Sequence, residues 1–257
     1  MSLDHQLYEK FELRRLTTED YEPDVKNFVK EFYTKQDVLA QITGATKEDE
    51  RGIYEYRAHE ALKYNASYAF FEKSSNKLVA LKLNLLHGTK DSTVTSMLVD
   101  NPNVNLSDMA RKVIRFVDWF VGDIYTELGA KLYMEMGMTC VHKDYANRGL
   151  GSELGRQSEI LAKKIGCDYL MSFATSSYTQ KSNEKSGFVL LREVLYSDYA
   201  DLLTNEKLFH ITLPQHTHGK IYYKRIWVVY WQYHLYYGDV TEHHCSKGLI
   251  FRQIHFY

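Results

Sequence analysis

The chain reads as an α/β (α+β) fold whose sheet is antiparallel early and partly parallel late. Three observations predict this. Two apolar, β-prone runs, 67–72 and 78–86, flank the polar pentad Lys73-Ser74-Ser75-Asn76-Lys77, a hairpin signature. Residues 132–141 alternate strictly and lead into V-H-K-D-Y-A-N-R-G-L-G-S and then a helical pattern. From there on helices and strands alternate.

In order, Phe11 to Leu16 alternates apolar and charged residues and predicts the first strand. Thr18-Glu19-Asp20 opens a helix carrying Tyr21, Val25, Phe28, Val29 and Phe32 at helical spacing. Residues 34–39 interrupt that pattern and read as a loop. A second helix is expected over about 47–64, with Ile53, Tyr56 and Leu62 on one side. After the hairpin, 87–105 is polar and holds the loop marker Asn101-Pro102-Asn103. Ser107 is placed to cap a long helix whose stripe runs Met109, Val113, Phe116, Phe120, Ile124 and Leu128, with Gly129 as its stop. On the strand 132–141, alternation places Leu132, Met134, Met136, Met138 and Cys140 on one face. Tyr133, Glu135, Gly137, Thr139 and Val141 fall on the other. A helix over 151–165 ends at Gly166, with Lys163 and Lys164 in its last turn, where the dipole favours cations. A strand (169–174), a short helix (178–185) and two further strands (188–196 and 220–226) complete the sheet. Residues 1–226 therefore form one domain. Residues 227–257, rich in aromatics and histidines without clear periodicity, read as a separate C-terminal extension of unknown order.

Bulk composition limits the function. The 257 residues suffice for a substantial core, and a net charge of −1 gives no general basic field for nucleic acid or acidic membranes. No apolar run approaches a membrane span, and the polar first ten residues lack a secretory h-region. Cys140, Cys167 and Cys245 are odd in number and far apart, which suits free thiols in a reducing compartment, so the expected setting is cytoplasmic. His243-His244-Cys245 lacks distant partners, and no metal site is expected. Cys140 has no partner base in the sequence and reads as a buried thiol. Composition leaves the oligomeric state open.

The 141–152 loop carries the chemistry. Gly149 and Gly151 sit where a strand passes into a helix N-terminus, an arrangement that aims backbone N–H groups and a partial positive charge at one anion. A phosphate-bearing ligand is expected there.

The strand T-C-V, the loop H-K-D-Y-A-N-R-G-L-G-S and the later E-K-S-G-F together resemble the GNAT superfamily of acyl-CoA-dependent N-acyltransferases. The resemblance spans about residues 11–226. F-Y-T-K-Q-D-V-L and P-Q-H-T-H-G-K-I-Y-Y-K-R are similar to segments of the insect-type arylalkylamine branch. The resemblance implies a mixed, mostly antiparallel central sheet with a splayed parallel strand pair and helices on both faces. It implies acetyl-CoA as co-substrate and a small arylalkylamine-like primary amine as acceptor, joined by direct attack in a ternary complex. Thr139, Cys140 and Val141 are then expected to bond the pantetheine and thioester, and a backbone N–H there to stabilise the oxyanion. Ala146, Asn147, Arg148, Gly149, Leu150, Gly151 and Ser152 are expected to hold the pyrophosphate. The chain departs from the family in having Ala146 in place of Gln or Arg and Asn147 in place of the common glycine. Arg148 is the compensating cation. For the base, the resemblance points to Asp37, in Gln36-Asp37-Val38-Leu39, where the branch has the Glu of Asp-Glu-Pro-Leu. Glu135, on the strand leading to the loop and on the same face as Val141, is the second candidate. Many family members carry a tyrosine acid where this chain has Asn183, so Thr179 and Ser182 are the hydroxyl candidates, with Tyr178 nearby. Two alternatives remain at this level: acetylation of a protein lysine or polyamine, and a catalytically decayed CoA-binding module.

Overall fold

A computed structural model describes residues 3–88 and 106–226. Most of the polar stretch 87–105, the extension 227–257 and the His243–Cys245 cluster lie outside the described residues.

One seven-stranded sheet organises the chain in the order β1-β2-β3-β4-β5-β7-β6. Its strands are β1 (Phe11–Leu16), β2 (Ser67–Glu72), β3 (Lys77–Gly88), β4 (Leu132–Val141), β5 (Tyr169–Ala174), β6 (Val189–Leu195) and β7 (His218–Arg225). Every neighbouring pair is antiparallel except β4–β5, which is parallel. That pair registers only over Tyr133↔Tyr169, Met134↔Leu170 and Glu135↔Met171. Beyond it, β4 continues to Val141 against β3, and β5 continues to Ala174 against β7. The two strands therefore splay and leave a gap in mid-sheet.

Eight α-helices are described. They are α1 (Leu3–Lys10), α2 (Lys26–Phe28), α3 (Val38–Thr43), α4 (Lys47–Lys63), α5 (Asp108–Val121), α6 (Ile124–Leu128), α7 (Leu150–Ile165) and α8 (Ser177–Lys185). α2 sits within a run of mixed pitch over 18–33 that begins in a Thr17/Asp20 capping box. On one face of the sheet this run and α4 bury Val25, Phe28, Val29, Ala58, Ala61 and Leu62 against Leu81, Leu83, Leu85, Met138 and Cys140. On the same face α5 packs Val113, Phe116 and Phe120 against Met171 and Ile221. α7 covers the opposite face, with Leu150 and Leu154 on Phe70, Val79 and Ala80, and Leu161 and Ala162 on Met134 and Leu170. Burial of these faces, at roughly 25 cal/mol per Å² of apolar surface, is what holds the helices to the sheet.

The structure corrects three expectations. The loop expected over 34–39 stops short at Asp37: α3 starts at Val38, because Asp37 caps its N-terminus, and Gly44 closes it in the left-handed region. The single long helix 108–128 is two: Gly122 ends α5, and Asp123 caps α6 by accepting from Thr126 N at 3.1 Å. The strict alternation of β4 also fails. Register jumps between Leu83↔Met138 and Asn84↔Met136, so Gly137 bulges out of the ladder. A Cβ there would lie 2.9 Å from the Leu83 carbonyl, so the bulge needs glycine. The bulge inverts the faces. Met134 and Met136 turn toward α7, while Met138 and Cys140 turn toward α4. Glu135 thus shares a face with Met138 and Cys140, not with Val141, which packs in the α7-side cluster.

Lys82 on β3 is buried (6% exposed), donates to Thr139 Oγ1 at 2.6 Å and forms no ion pair with a described carboxylate. Burial drops its pKa to about 8. The fold thus penalises the charged amine below pH 8, and the penalty fades as pH rises from about 8 toward the unfolded value of 10.5. Lys82→Met is expected to stabilise the protein at pH 7 by about 1–3 kcal/mol. Melting at pH 7 and pH 10 checks this, since the gain should shrink at the higher pH.

Candidate active site

The site has two parts that meet at the gap between β4 and β5. The first is the loop after β4. His142 N donates to Val79 O, keeping the loop on the sheet, and residues 143–145 make one tight turn. Asn147 (φ 61°) and Gly149 (φ 82°) then both adopt left-handed backbone, the region that glycine enters freely and asparagine tolerates. This explains how Asn147 stands where glycine is common. α7 begins at Leu150 with Gly149 as its N-cap and no side-chain cap. The N–H groups of Leu150, Gly151 and Ser152 have no intrahelical acceptor by helical geometry, and the helix dipole adds positive potential there. Gly151 lies against Val141, with 3.6 Å between a Cβ built on it and Val141 Cγ2, so the helix start abuts the end of β4. Ala146 N is used within the turn, bonding Lys143 O. Arg148 donates to Asp144 O at 2.8 Å, and its guanidinium lies 5.0 Å over the Tyr145 ring, so it is held beside the loop as a fixed cation. The ensemble has the backbone geometry to cradle an anion.

The second part is a cavity on the α4–α5 side, which reaches the gap at Met136, Gly137 and Met138 of β4 and at Ser172 and Phe173 of β5. Asp37 and Glu135 both line it. Much of its wall is apolar: Val113, Ile114, Val117, Ile124, Met171 and Ile221.

Asp37 is 7% exposed. Its Oδ2 accepts from Ala40 N at 3.2 Å and from the Tyr54 hydroxyl. α3 is anchored in turn, since His210 N and Ile211 N both donate to Ile42 O. Tyr54 lies 3.2 Å from Glu50 Oε1, and Glu50 is 4% exposed. Burial raises the Asp37 pKa against the bonds from Tyr54 and Ala40. Burial and the Asp37 charge push Glu50 up to about 9.

Glu135 has a different environment. Arg57 donates to its Oε1, and His87 Nε2 lies 2.9 Å from its Oε2. Burial alone would raise its pKa, but the charge of Arg57 and the bond to His87 prevail and hold it at about 2. His87 is itself fixed by stacking on Tyr133, with centroids 4.7 Å apart. Of the two acids, Asp37 is shifted by burial toward the stronger base, and Glu135 is held ionised as the counter-ion of Arg57.

The remaining sequence candidates are placed as follows. Cys140 is buried in the α4-side core with its thiol pushed up to about 12, which makes it a packing residue. His142 accepts from Asp144 N through Nδ1 and packs on Phe32, so it shapes the turn. Thr139 is exposed at the surface of β4 and takes the Lys82 bond. Thr179 and Ser182 are exposed on α8, Thr179 within 2.9 Å of Ser176 Oγ, and neither lines the cavity. On α8 the buried Asn183 donates through Nδ2 to Ser172 Oγ at 2.9 Å, and it is Ser172 that lines the cavity. Sequence reasoning passed over Glu50, Tyr54 and Arg57. Their i, i+4, i+7 spacing puts three polar side chains on the one face of α4 that also carries Ile53, a signal that was available. No group of three or more potential metal ligands occurs among the described residues, and no described helix is long and apolar enough to cross a membrane.

No family model matches the chain, and no curated protein matches it in sequence. Its fold matches solved structures. Arylalkylamine N-acetyltransferase 2 from Aedes aegypti superposes with a TM-score of 0.73 at 19% identity, covering 84% of this chain and 99% of that one. Mosquito arylalkylamine N-acetyltransferase like 5b gives 0.72 at 17%, with the same coverage. Drosophila melanogaster polyamine N-acetyltransferase, which forms N-acetylagmatine, gives 0.70 at 13%, again covering 84% and 99%. The seven-stranded mixed sheet with its single parallel pair is the fold of GNAT acetyltransferases.

Proposed function

We propose that the chain is an acetyl-CoA-dependent N-acetyltransferase of small, apolar-bodied primary amines, working by direct attack in a ternary complex. One observation carries this: a cavity containing a buried, basic-shifted carboxylate opens on the same strand gap that ends at an uncapped helix N-terminus. The residues fit the co-substrate. The free amides of Leu150, Gly151 and Ser152, with Arg148 beside them, suit a pyrophosphate. The unpaired edge of β4 from Met136 to Val141 offers backbone donors and acceptors to the pantetheine arm. The acetyl thioester then supplies the carbonyl at the cavity wall near Met136–Met138.

The chain's own residues do the rest. An amine arrives mostly protonated, and Asp37 takes its first proton. Nitrogen attacks the carbonyl, the C–N bond forms and the C–S bond breaks. The second nitrogen proton leaves with the thiolate or through solvent, so one thiol and one proton are released per turnover. A β4 backbone N–H at the bulge stabilises the oxyanion, a contribution of about 3–4 kcal/mol where such donors have been removed in other enzymes. Because Arg57 neutralises Glu135, the cavity presents one acidic locus, around Asp37, above an apolar wall. That favours a monoamine with an aromatic or aliphatic body over a polyamine.

Release of free thiol from acetyl-CoA across an amine panel tests this. Arylalkylamines are expected to turn over at least tenfold better in kcat/KM than agmatine or spermidine. Preference for the polyamines would overturn the substrate assignment. Folded protein that binds CoA yet releases no thiol with any amine would overturn the enzymatic one, leaving a CoA-binding module.

A further inference from the structure

We infer that Glu50 is a positioning residue for the proposed transfer: through Tyr54 it shares one proton with Asp37, so that the two carboxyls act as a single base. This rests on the acetyltransferase reading for its catalytic meaning, though the shared proton exists with or without substrate.

The geometry is specific. The Tyr54 hydroxyl sits between the two acids, donating to Asp37 Oδ2 and lying 3.2 Å from Glu50 Oε1. A phenol has a single proton, and Asp37 receives it. The Tyr54 oxygen is then an acceptor toward Glu50, and a satisfied contact there requires Glu50 to carry a proton of its own. An ionised Glu50 would place two lone-pair oxygens face to face in a buried site. Both carboxyls are more than nine-tenths buried, so two neighbouring negative charges are disfavoured, and the pair settles at one proton and one charge. The groups facing this pair are Asp49 and Arg57 on α4, Tyr33 from the preceding helical run, and Tyr196 at the end of β6. Arg57, the cation among them, is already committed to Glu135, so none of these groups offers a free positive charge to ionise both acids.

The arrangement answers a chemical difficulty. A solitary aspartate, ordinarily near pKa 3.9, is too weak a base for an ammonium group. Burial makes Asp37 a stronger base, and the hydrogen bonds from Tyr54 and from the protonated Glu50 hold that rise in check, so that Asp37 keeps the pair's one charge in a dry site. During turnover Asp37 takes the ammonium proton, the dyad passes from one proton to two, and it returns the extra proton to solvent after the amide leaves. No other atom changes oxidation state or bonding in this step.

Two measurements test it. In the free protein at pH 7, infrared difference spectroscopy is expected to show a protonated-carboxyl C=O stretch that disappears in Glu50→Gln. In the pH profile of kcat/KM for an arylalkylamine, Glu50→Gln keeps a neutral donor toward Tyr54 and is expected to leave the acid limb near wild type, whereas Glu50→Leu, which removes that donor, is expected to move the limb upward by at least one pH unit, with a tenfold or greater loss at pH 7 and CoA binding unchanged. Tyr54→Phe is the second shifting variant should Glu50→Leu fold poorly. It removes the bridge but keeps both acids, and is expected to shift the same limb upward. Absence of the infrared band from wild type, or an acid limb unmoved in both Glu50→Leu and Tyr54→Phe, overturns the inference. The band appearing in a protein that acetylates no amine supports the shared proton and sinks only the proposed reaction.

Discussion

Asp37→Asn is expected to lower kcat for amine acetylation by two to four orders of magnitude, the range for loss of a positioned general base. The same change should leave the fold and CoA binding intact, and this makes it diagnostic. Asparagine caps a helix about as well as aspartate, so α3 keeps its first-turn bond to Ala40 N. The substitution also removes a buried charge whose pKa the fold raises, so melting at pH 7 should not fall. The proposed anion cradle is at the α7 N-terminus and contains no residue of α3. CoA-dependent thermal stabilisation of the variant should therefore match wild type. Rates from thiol release, set beside melting with and without CoA, check all three points. Unchanged turnover would remove Asp37 from the chemistry.

Residual activity of Asp37→Asn should rise with pH. Free amine becomes more abundant as pH approaches its pKa, and the variant then needs less help in deprotonation. Wild type should lose rate on the acid side instead, as the Asp37–Glu50 pair takes up a second proton. A variant profile parallel to wild type would place the base elsewhere.

How much of this was legible in the sequence follows from range. Elements specified by local pattern were. The hairpin 67–88, the amphipathic face of α5 and the stop of α7 at Gly166 came from periodicity and capping residues that act within a few positions. The 141–152 loop was legible as a glycine-bearing turn from a strand to a helix N-terminus, because glycine there is a local signal. What failed was non-local. The bulge at Gly137 depends on the Leu83 carbonyl across the ladder, which no alternation in β4 alone reveals, and it reversed the face of Glu135. The choice between Asp37 and Glu135 was likewise open in sequence. Arg57 is 78 residues from Glu135, and only the fold brings them together. Asn147 was legible as a departure from the common glycine, but its left-handed backbone, which explains why asparagine serves there, was not.

That long-range pair gives the largest expected effect on stability. Arg57→Met should destabilise the protein by about 3–5 kcal/mol at pH 7, because it leaves the mostly buried Glu135 carboxylate without its cation. The linkage sets the pH window. In wild type the folded Glu135 pKa is about 2 against an ordinary 4.5, so its ionised form stabilises the fold above about pH 4.5. That contribution, about 3 kcal/mol from the size of the shift, fades as pH falls toward 2. In Arg57→Met, burial is the dominant remaining influence and raises the Glu135 pKa, so the sign reverses and the variant should gain stability as pH falls from 7 toward 5. His87 softens the effect, since it still faces Oε2 at 2.9 Å. Urea unfolding of wild type and variant between pH 4 and 8 measures the crossing slopes. Arg57→Met/Glu135→Gln supplies the control: if the loss comes from an orphaned charge, the second change should restore most of it, and if it comes from lost packing around the Arg57 stem it should not. A single mutant as stable as wild type would mean that Glu135 is solvated through the cavity. It would then be free to act as a second acidic locus, and the preference for monoamines argued from its neutralisation would fall with it.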